Sequence, residues 1–231
     1  MPRKPIVRSR ENYYHVTARS NNRDFFNMSL DETWQIMTDK LAMLQGHYKI
    51  KIAAFVLMNN HFHLLVLTPN EDIDRIMYFF MKDVTIEIQK RTGRINKIFG
   101  GRYKGSIITN FNYLVNVYKY IYRNPVEVNI CDNAESYKFS TLHFRYTPNV
   151  VSPFKIEILL PKCAFDEFDD LDELRWLNQK YEILESESIK CGLQKTVFAY
   201  EKDKINNRPI VPVVRHPKRK SQEQLWNELF N

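Results

Sequence analysis

Residues 48–68 read Tyr48-Lys49-Ile50-Lys51-Ile52-Ala53-Ala54-Phe55-Val56-Leu57-Met58-Asn59-Asn60-His61-Phe62-His63-Leu64-Leu65-Val66-Leu67-Thr68, two runs rich in β-formers on either side of an Asn-Asn pair. Asparagine tolerates positive φ, so Asn59-Asn60 reads as a hairpin turn and the runs Tyr48 to Met58 and His61 to Thr68 as antiparallel strands. Upstream, Ser29-Leu30-Asp31-Glu32 is a capping box, and Leu30, Trp34, Met37, Leu41 and Leu44 recur at helical spacing to about Gly46. Before that, Tyr13 to Arg19 alternates as a first strand and ends in the polar turn Ser20 to Asp24. Downstream, Ile73, Met77, Phe80, Val84 and Ile88 carry a second helix with Gly93 at its C-cap. Tyr103 to Thr109 is a short strand, and Asn110 caps a third helix that Pro125 is expected to end. The order β-α-β-β-α-β-α predicts an α+β fold: a ferredoxin-like antiparallel sheet with helices packed on one face.

This arrangement accounts for residues 1–130. Beyond it, residues 131–204 read as a helical extension, acidic over 161–190 (nine acids against four bases), forming a separate layer. Residues 205–231 read as an arm with prolines and a basic cluster at 215–220, followed by a second capping box, Ser221 to Gln224, and a short amphipathic helix of Leu225, Trp226, Leu229 and Phe230. In all, 231 residues with 44% hydrophobic and 26% charged side chains are enough for a buried core, which excludes a disordered chain or a coiled coil. Cys131, Cys163 and Cys191 form no CxxC pair and no even disulfide set, so a zinc ribbon or secreted scaffold is not indicated and a reducing cytoplasm fits. The longest apolar run, Ala53 to Met58, falls far short of the roughly 20 residues of a membrane helix.

The net charge of +7 is unevenly distributed. Residues 82–123 alone carry nine bases against two acids, interleaved with Phe99, Tyr103, Phe111 and Tyr113, which can stack on unpaired bases. An anionic, nucleic-acid partner is the reading this strip supports. Within the hairpin, His61 and His63 fall on one face of their strand and Phe62 on the other. Two imidazoles about 6.6–6.8 Å apart along a strand can converge on one ion, although an HxH is also compatible with two surface histidines. His15, on the first strand, is either a third ring nearby or a residue at a strand edge. On the third helix, Tyr113, Val117, Tyr120 and Asn124 share a narrow sector while Lys119 and Arg123 fall on the far side. A tyrosine with an amide one turn later can aim a hydroxyl and a carbonyl oxygen at one place.

With these segments in hand, the chain resembles a known family. Tyr14-His15-Val16-Thr17-Ala18-Arg19-Ser20-Asn21-Asn22, Met58-Asn59-Asn60-His61-Phe62-His63-Leu64-Leu65-Val66, Gly101-Arg102-Tyr103-Lys104 and Tyr120-Ile121-Tyr122-Arg123-Asn124-Pro125-Val126 are similar, in order and spacing, to the single-tyrosine HUH transposases of the IS200-like superfamily. The similarity is greatest to the branch associated with repetitive extragenic palindromes (REP) and spans about residues 8–145. It implies a transposase that, with a divalent metal (Mg²⁺ or Mn²⁺), cleaves and rejoins single-stranded DNA beside hairpins through a 5′-phosphotyrosine. By motif, Tyr120 is the nucleophile, and His61, His63 and Asn124 are metal ligands. DNA contacts are expected from Arg19, Asn21, Asn22, Arg23, Asn60, Arg91, Arg94, Lys97, Arg102, Tyr103, Lys104, Lys119 and Arg123. The resemblance places the protein in the cytoplasm at the nucleoid, with no membrane partner, and is equally compatible with a homodimer and a monomer. The sequence departs from the family where Asn59 replaces a common proline, Ser20 a common glycine, and Glu127-Val128-Asn129 a common Arg-Ala-Gly. A reading from a different class is a non-catalytic regulator that binds hairpin nucleic acid on the same fold.

Overall fold

The computed structural model describes residues 7–70, 72–159 and 170–212. Four strands, β1 (Tyr13–Arg19), β2 (Lys51–Leu57), β3 (His61–Leu67) and β4 (Lys104–Ile108), form an antiparallel sheet in the order β2-β3-β1-β4. The central pair sets the register of the site: Thr17 lies opposite His63 and Arg19 opposite His61, while on its other side His15 lies opposite Ser106 of β4. Three helices join the strands, α1 (Leu30–His47), α2 (Ile73–Thr92) and α3 (Phe111–Glu127). The caps are those the sequence encodes. Ser29 and Glu32 form the reciprocal capping box, Asn110 Oδ1 accepts from the Tyr113 amide at 2.9 Å, and Gly93 takes the left-handed conformation (φ 68°) that closes α2 without a Cβ penalty.

The structure corrects the expected layering. Helices α1 and α2 cover the face of the sheet that carries Phe62, whereas α3 crosses the opposite face, where Tyr120 meets His63. Both faces of the sheet are therefore buried, as the run of buried residues from Phe62 to Leu67 in β3 requires. Two local expectations also change. The Asn59-Asn60 turn forms without positive φ; the left-handed asparagines are elsewhere, Asn22 among them. Pro125 does not end α3 but sits inside it, because the Asn124 side chain donates to the Tyr120 and Ile121 carbonyls (2.8 and 3.4 Å), the second of which is the group a proline at 125 cannot bond.

The extension is not a separate layer. Its helices α4 (Thr141–Tyr146), α5 (Asp170–Asn178) and α6 (Ile183–Gly192) bring Leu142, Trp176, Leu177 and Ile189 into the same core as the sheet. It also covers both free edges: the Leu57 amide donates to the Phe139 carbonyl and the Glu157 amide to Ile52 on β2, while residues 196–198 pair with Ile107 of β4. Covered edges cannot template pairing with another chain. A buried knot ties α5 to α3 and α4, with both Glu173 carboxylate oxygens accepting from Arg145 and one each from Tyr118 and Tyr146, at 2.7–2.9 Å. Among the described residues no helix is long and apolar enough to cross a membrane. The basic cluster at 215–220, the terminal amphipathic segment and Cys163 lie outside the described residues.

Candidate active site

Strand alternation puts Phe62 into an aromatic cluster, its ring perpendicular to Phe80 at 5.4 Å, and turns His61 and His63 to the other face with ring centroids 5.0 Å apart. Each imidazole is held through Nδ1. His61 Nδ1 donates to Asn60 Oδ1 at 2.9 Å, and Asn60 in turn donates through Nδ2 to the Arg23 carbonyl at 2.8 Å. His63 Nδ1 meets His15 Nε2 at 2.8 Å, and His63 Nε2 is buried without a hydrogen-bond partner. Burial, helped by the nearby Arg19 charge, lowers the His61 pKa to about 4; burial, with His15 and His61 alongside, holds His63 well below the ordinary imidazole range. At neutral pH both rings are uncharged, the state in which an imidazole ligates a metal.

Tyr120 projects from α3 onto this face, its ring perpendicular to His63 with centroids 6.1 Å apart. Only 8% of the residue is exposed. Burial pushes its pKa up to about 12, reinforced by the Glu127 charge and opposed by a hydrogen bond from the Asn124 side chain. The hydroxyl is thus protonated at neutral pH and has to give up its proton as it reacts. Asn124 follows one turn later; its amide nitrogen is committed to backbone carbonyls, which leaves Oδ1 for other work.

These groups fit a divalent ion. An unpartnered nitrogen buried beside a second neutral imidazole is a costly arrangement for an apolar pocket and an ordinary one for a ligand set. Among the described residues no group of three His, Cys, Asp or Glu side chains is placed to hold a metal, and the Asn124 amide oxygen is a donor of another type. Two nitrogens and one amide oxygen, without thiolate, suit manganese or magnesium, manganese accepting imidazole more readily.

The expected DNA contacts divide into two groups. Arg19, Asn22 and Arg23 are exposed beside the His61 end of the sheet, in a tight turn where Asn22 and Arg23 both have positive φ (55° and 62°). The Ser20 amide ties that turn to the Asn60 carbonyl and the Asn21 amide ties it to Ile98, so Asn21, Asn60 and the loop after α2 are one unit. Lys97, Arg102 and Lys104 are exposed on that loop and at the start of β4; Arg94 bonds Asn27 and the Lys97 carbonyl, Arg91 pairs with Glu87, and Arg102 with Asp74.

Lys119 and Arg123 are corrected. Both are buried beneath the extension, Arg123 donating to the Leu177 and Asn178 carbonyls and Glu127, and Lys119 lying 4.8 Å over the Tyr181 ring and 5.2 Å over Trp176. They fell on the far side of the helix as read, but the far side is covered. The stacking aromatics change too. Tyr103 and Phe99 are buried, Tyr103 bonding Asp74 Oδ1 at 3.0 Å, and Tyr113 packs against Phe198 and Tyr200; Phe111 alone of the four is exposed. His15, left open between two readings, is buried against His63; the β1–β3 pairing that makes it a neighbour was not readable from either strand alone.

Comparison with known proteins bears on the fold and the family. No curated protein matches the chain. Among solved structures, a REP-associated tyrosine transposase bound to a REP hairpin is similar over 71% of this chain and 95% of its own, with 18% identity and a TM-score of 0.53, which shows a shared fold. A proposed transposase from Deinococcus radiodurans R1 is more distant, at 14% identity over 52% of this chain and 94% of its own, with a TM-score of 0.37. The sequence model of the IS200-like transposases matches residues 9–124. That match covers half of the chain and takes in every element that builds the face with His61, His63, Tyr120 and Asn124, and on it the chain belongs to the IS200-like transposase family.

Proposed function

We propose that the protein cleaves and rejoins single-stranded DNA next to hairpins of the REP type, using Tyr120 as nucleophile. The observation that carries the reading is the meeting of Tyr120 with His63, whose Nε2 is buried and unpartnered, on a face that also holds His61. Tyr120 Oη attacks the scissile phosphorus, the bond from phosphorus to the 3′-oxygen breaks, the tyrosine proton is lost to solvent or a base, and the departing 3′-oxygen takes up a proton. The 5′-phosphate stays on Tyr120, conserving the bond energy, so a 3′-hydroxyl can reverse the step on another strand without ATP. A divalent ion held by His61 Nε2, His63 Nε2 and Asn124 Oδ1 would supply Lewis-acid polarisation of the phosphate.

The chain's own groups orient the reaction. Asn60 fixes the His61 ring through a 2.9 Å bond, the backbone carbonyls of Tyr120 and Ile121 fix the Asn124 amide, and Arg19, cross-strand from His61, sets a positive charge beside the imidazole pair. Exposed Arg23, Lys97 and Lys104 are proposed phosphate contacts, which makes affinity depend strongly on salt. The test is a labelled hairpin oligonucleotide with a single-stranded flank, incubated with Mn²⁺ and resolved on a denaturing gel. Wild type should give a protein–DNA adduct and Tyr120→Phe none, with hairpin affinity of the variant within about twofold; an adduct formed by Tyr120→Phe, or hairpin binding with no cleavage by wild type, defeats the assignment.

A further inference from the structure

His15 carries no role in the family motif quoted above, yet it is 3% exposed at the centre of the sheet, with its ring centroid 5.1 Å from that of His63. The β1–β3 register pairs it with Leu65, two pairs along from Thr17–His63 and so diagonally across from His63 on the same face. A buried histidine in van der Waals contact with apolar neighbours would be unremarkable, but this one directs Nε2 to His63 Nδ1 at 2.8 Å. We propose that His15 is a positioning residue that fixes the tautomer of His63, so that the unpartnered Nε2 presents a lone pair to the metal; the proposal rests on the functional reading above.

A neutral imidazole has one N–H and one lone pair. If His63 carried its proton on Nε2, a buried donor would be left without an acceptor, a costly state. With the proton on Nδ1, the donor is satisfied by His15 Nε2 and the Nε2 lone pair is the free group. The same tautomer is imposed on His61 by different means, since Asn60 Oδ1 can only accept from His61 Nδ1–H. Two unlike clamps, an amide on one ring and an imidazole on the other, thus leave both Nε2 atoms as acceptors. His15 must then hold its own proton on Nδ1; its cross-strand neighbour on β4, Ser106, has a buried Oγ without a partner. Partners of this kind set ligand orientation in metal sites and are worth roughly 10–100-fold in metal affinity.

The experiment is Mn²⁺ uptake by the full chain, followed by electron paramagnetic resonance of the free ion, in wild type, His15→Phe, His15→Gln and His61→Ala. Phenylalanine keeps the ring volume and removes the acceptor, whereas the glutamine side chain can place an oxygen near the former Nε2. His15→Phe should weaken Mn²⁺ binding by about 10–100-fold with thermal melting and hairpin affinity preserved, and His15→Gln should recover most of the loss. Nitrogen-15 shifts of the metal-free wild type should show His63 protonated on Nδ1. A His63 protonated on Nε2, or His15→Phe with wild-type Mn²⁺ affinity while His61→Ala has lost it, overturns the role of His15 and leaves the metal reading standing. A wild type that takes up no Mn²⁺ overturns both.

Discussion

On one face of the sheet Phe62 packs among Phe55, Phe80 and Phe99 at centroid distances of 5.4–6.1 Å, while on the other, one residue away in each direction, His63 meets Tyr120 and His61 lies against His63. The first face is a store of apolar burial. The second holds polar groups out of water, His63 Nε2 and Ser106 Oγ among them without a partner, and so spends some of what the first face gains. A strand of period two allows the same three residues to do both, which keeps the ligand face rigid because it is anchored by the core face beneath it.

This contrast can be broken from either side. The largest expected effect is on chemistry: His61→Ala combined with His63→Ala should take adduct formation below detection at any Mn²⁺ concentration, while stability, read from urea unfolding, falls by less than about 2 kcal/mol. Undiminished cleavage would exclude these rings from the reaction. From the other face, Phe62→Ala should cost about 3–5 kcal/mol in the same unfolding measurement, with cleavage per folded molecule retained. A variant that unfolds as wild type does would show that the aromatic cluster is not what anchors the strand.

Smaller effects sharpen a second contrast, between the exposed bases near the turn and the buried bases of α3. Lys97→Ala should flatten the dependence of log affinity on log salt by about one and leave cleavage at saturating DNA unchanged. Lys119→Met should leave the salt slope untouched, because the ammonium is covered by Trp176 and Tyr181. Burial, with Arg123 nearby, lowers the Lys119 pKa to about 8 from an ordinary 10.5, so the unfolded chain binds this proton more readily and folded wild type gains stability from the group's titration as pH rises from 8 to 10. The methionine variant lacks that gain, and the difference in melting temperature between the two should shift in favour of wild type over that interval. A difference that stays constant with pH would place the lysine in solvent.

Local order was legible in the residues. Capping at Ser29 and Asn110, the stop at Gly93 and the placement of His61 and His63 on one face all depend on neighbours in sequence, and all are present. Pro125 misled because the rule that a proline ends a helix assumes the orphaned carbonyl has no other donor, and Asn124 supplies one. Lys119 and Arg123 misled for a different reason. Helical periodicity assigns a residue to a side of a helix but not the occupant of that side, and α5 and the segment around Tyr181 are more than fifty residues away in the chain.

Periodicity and capping, which act within a few residues, were enough to establish the strands, the helices, the shared face of the two histidines and the motif that marks the family. Which face of the sheet receives α3, whether a basic side chain meets water or tryptophan, and which residue meets Nδ1 of His63 were settled by pairing and packing. Those contacts join segments such as His15 and His63, 48 residues apart, and chain entropy alone gives no preference for which distant segments meet until burial and hydrogen bonding reward one arrangement over the others.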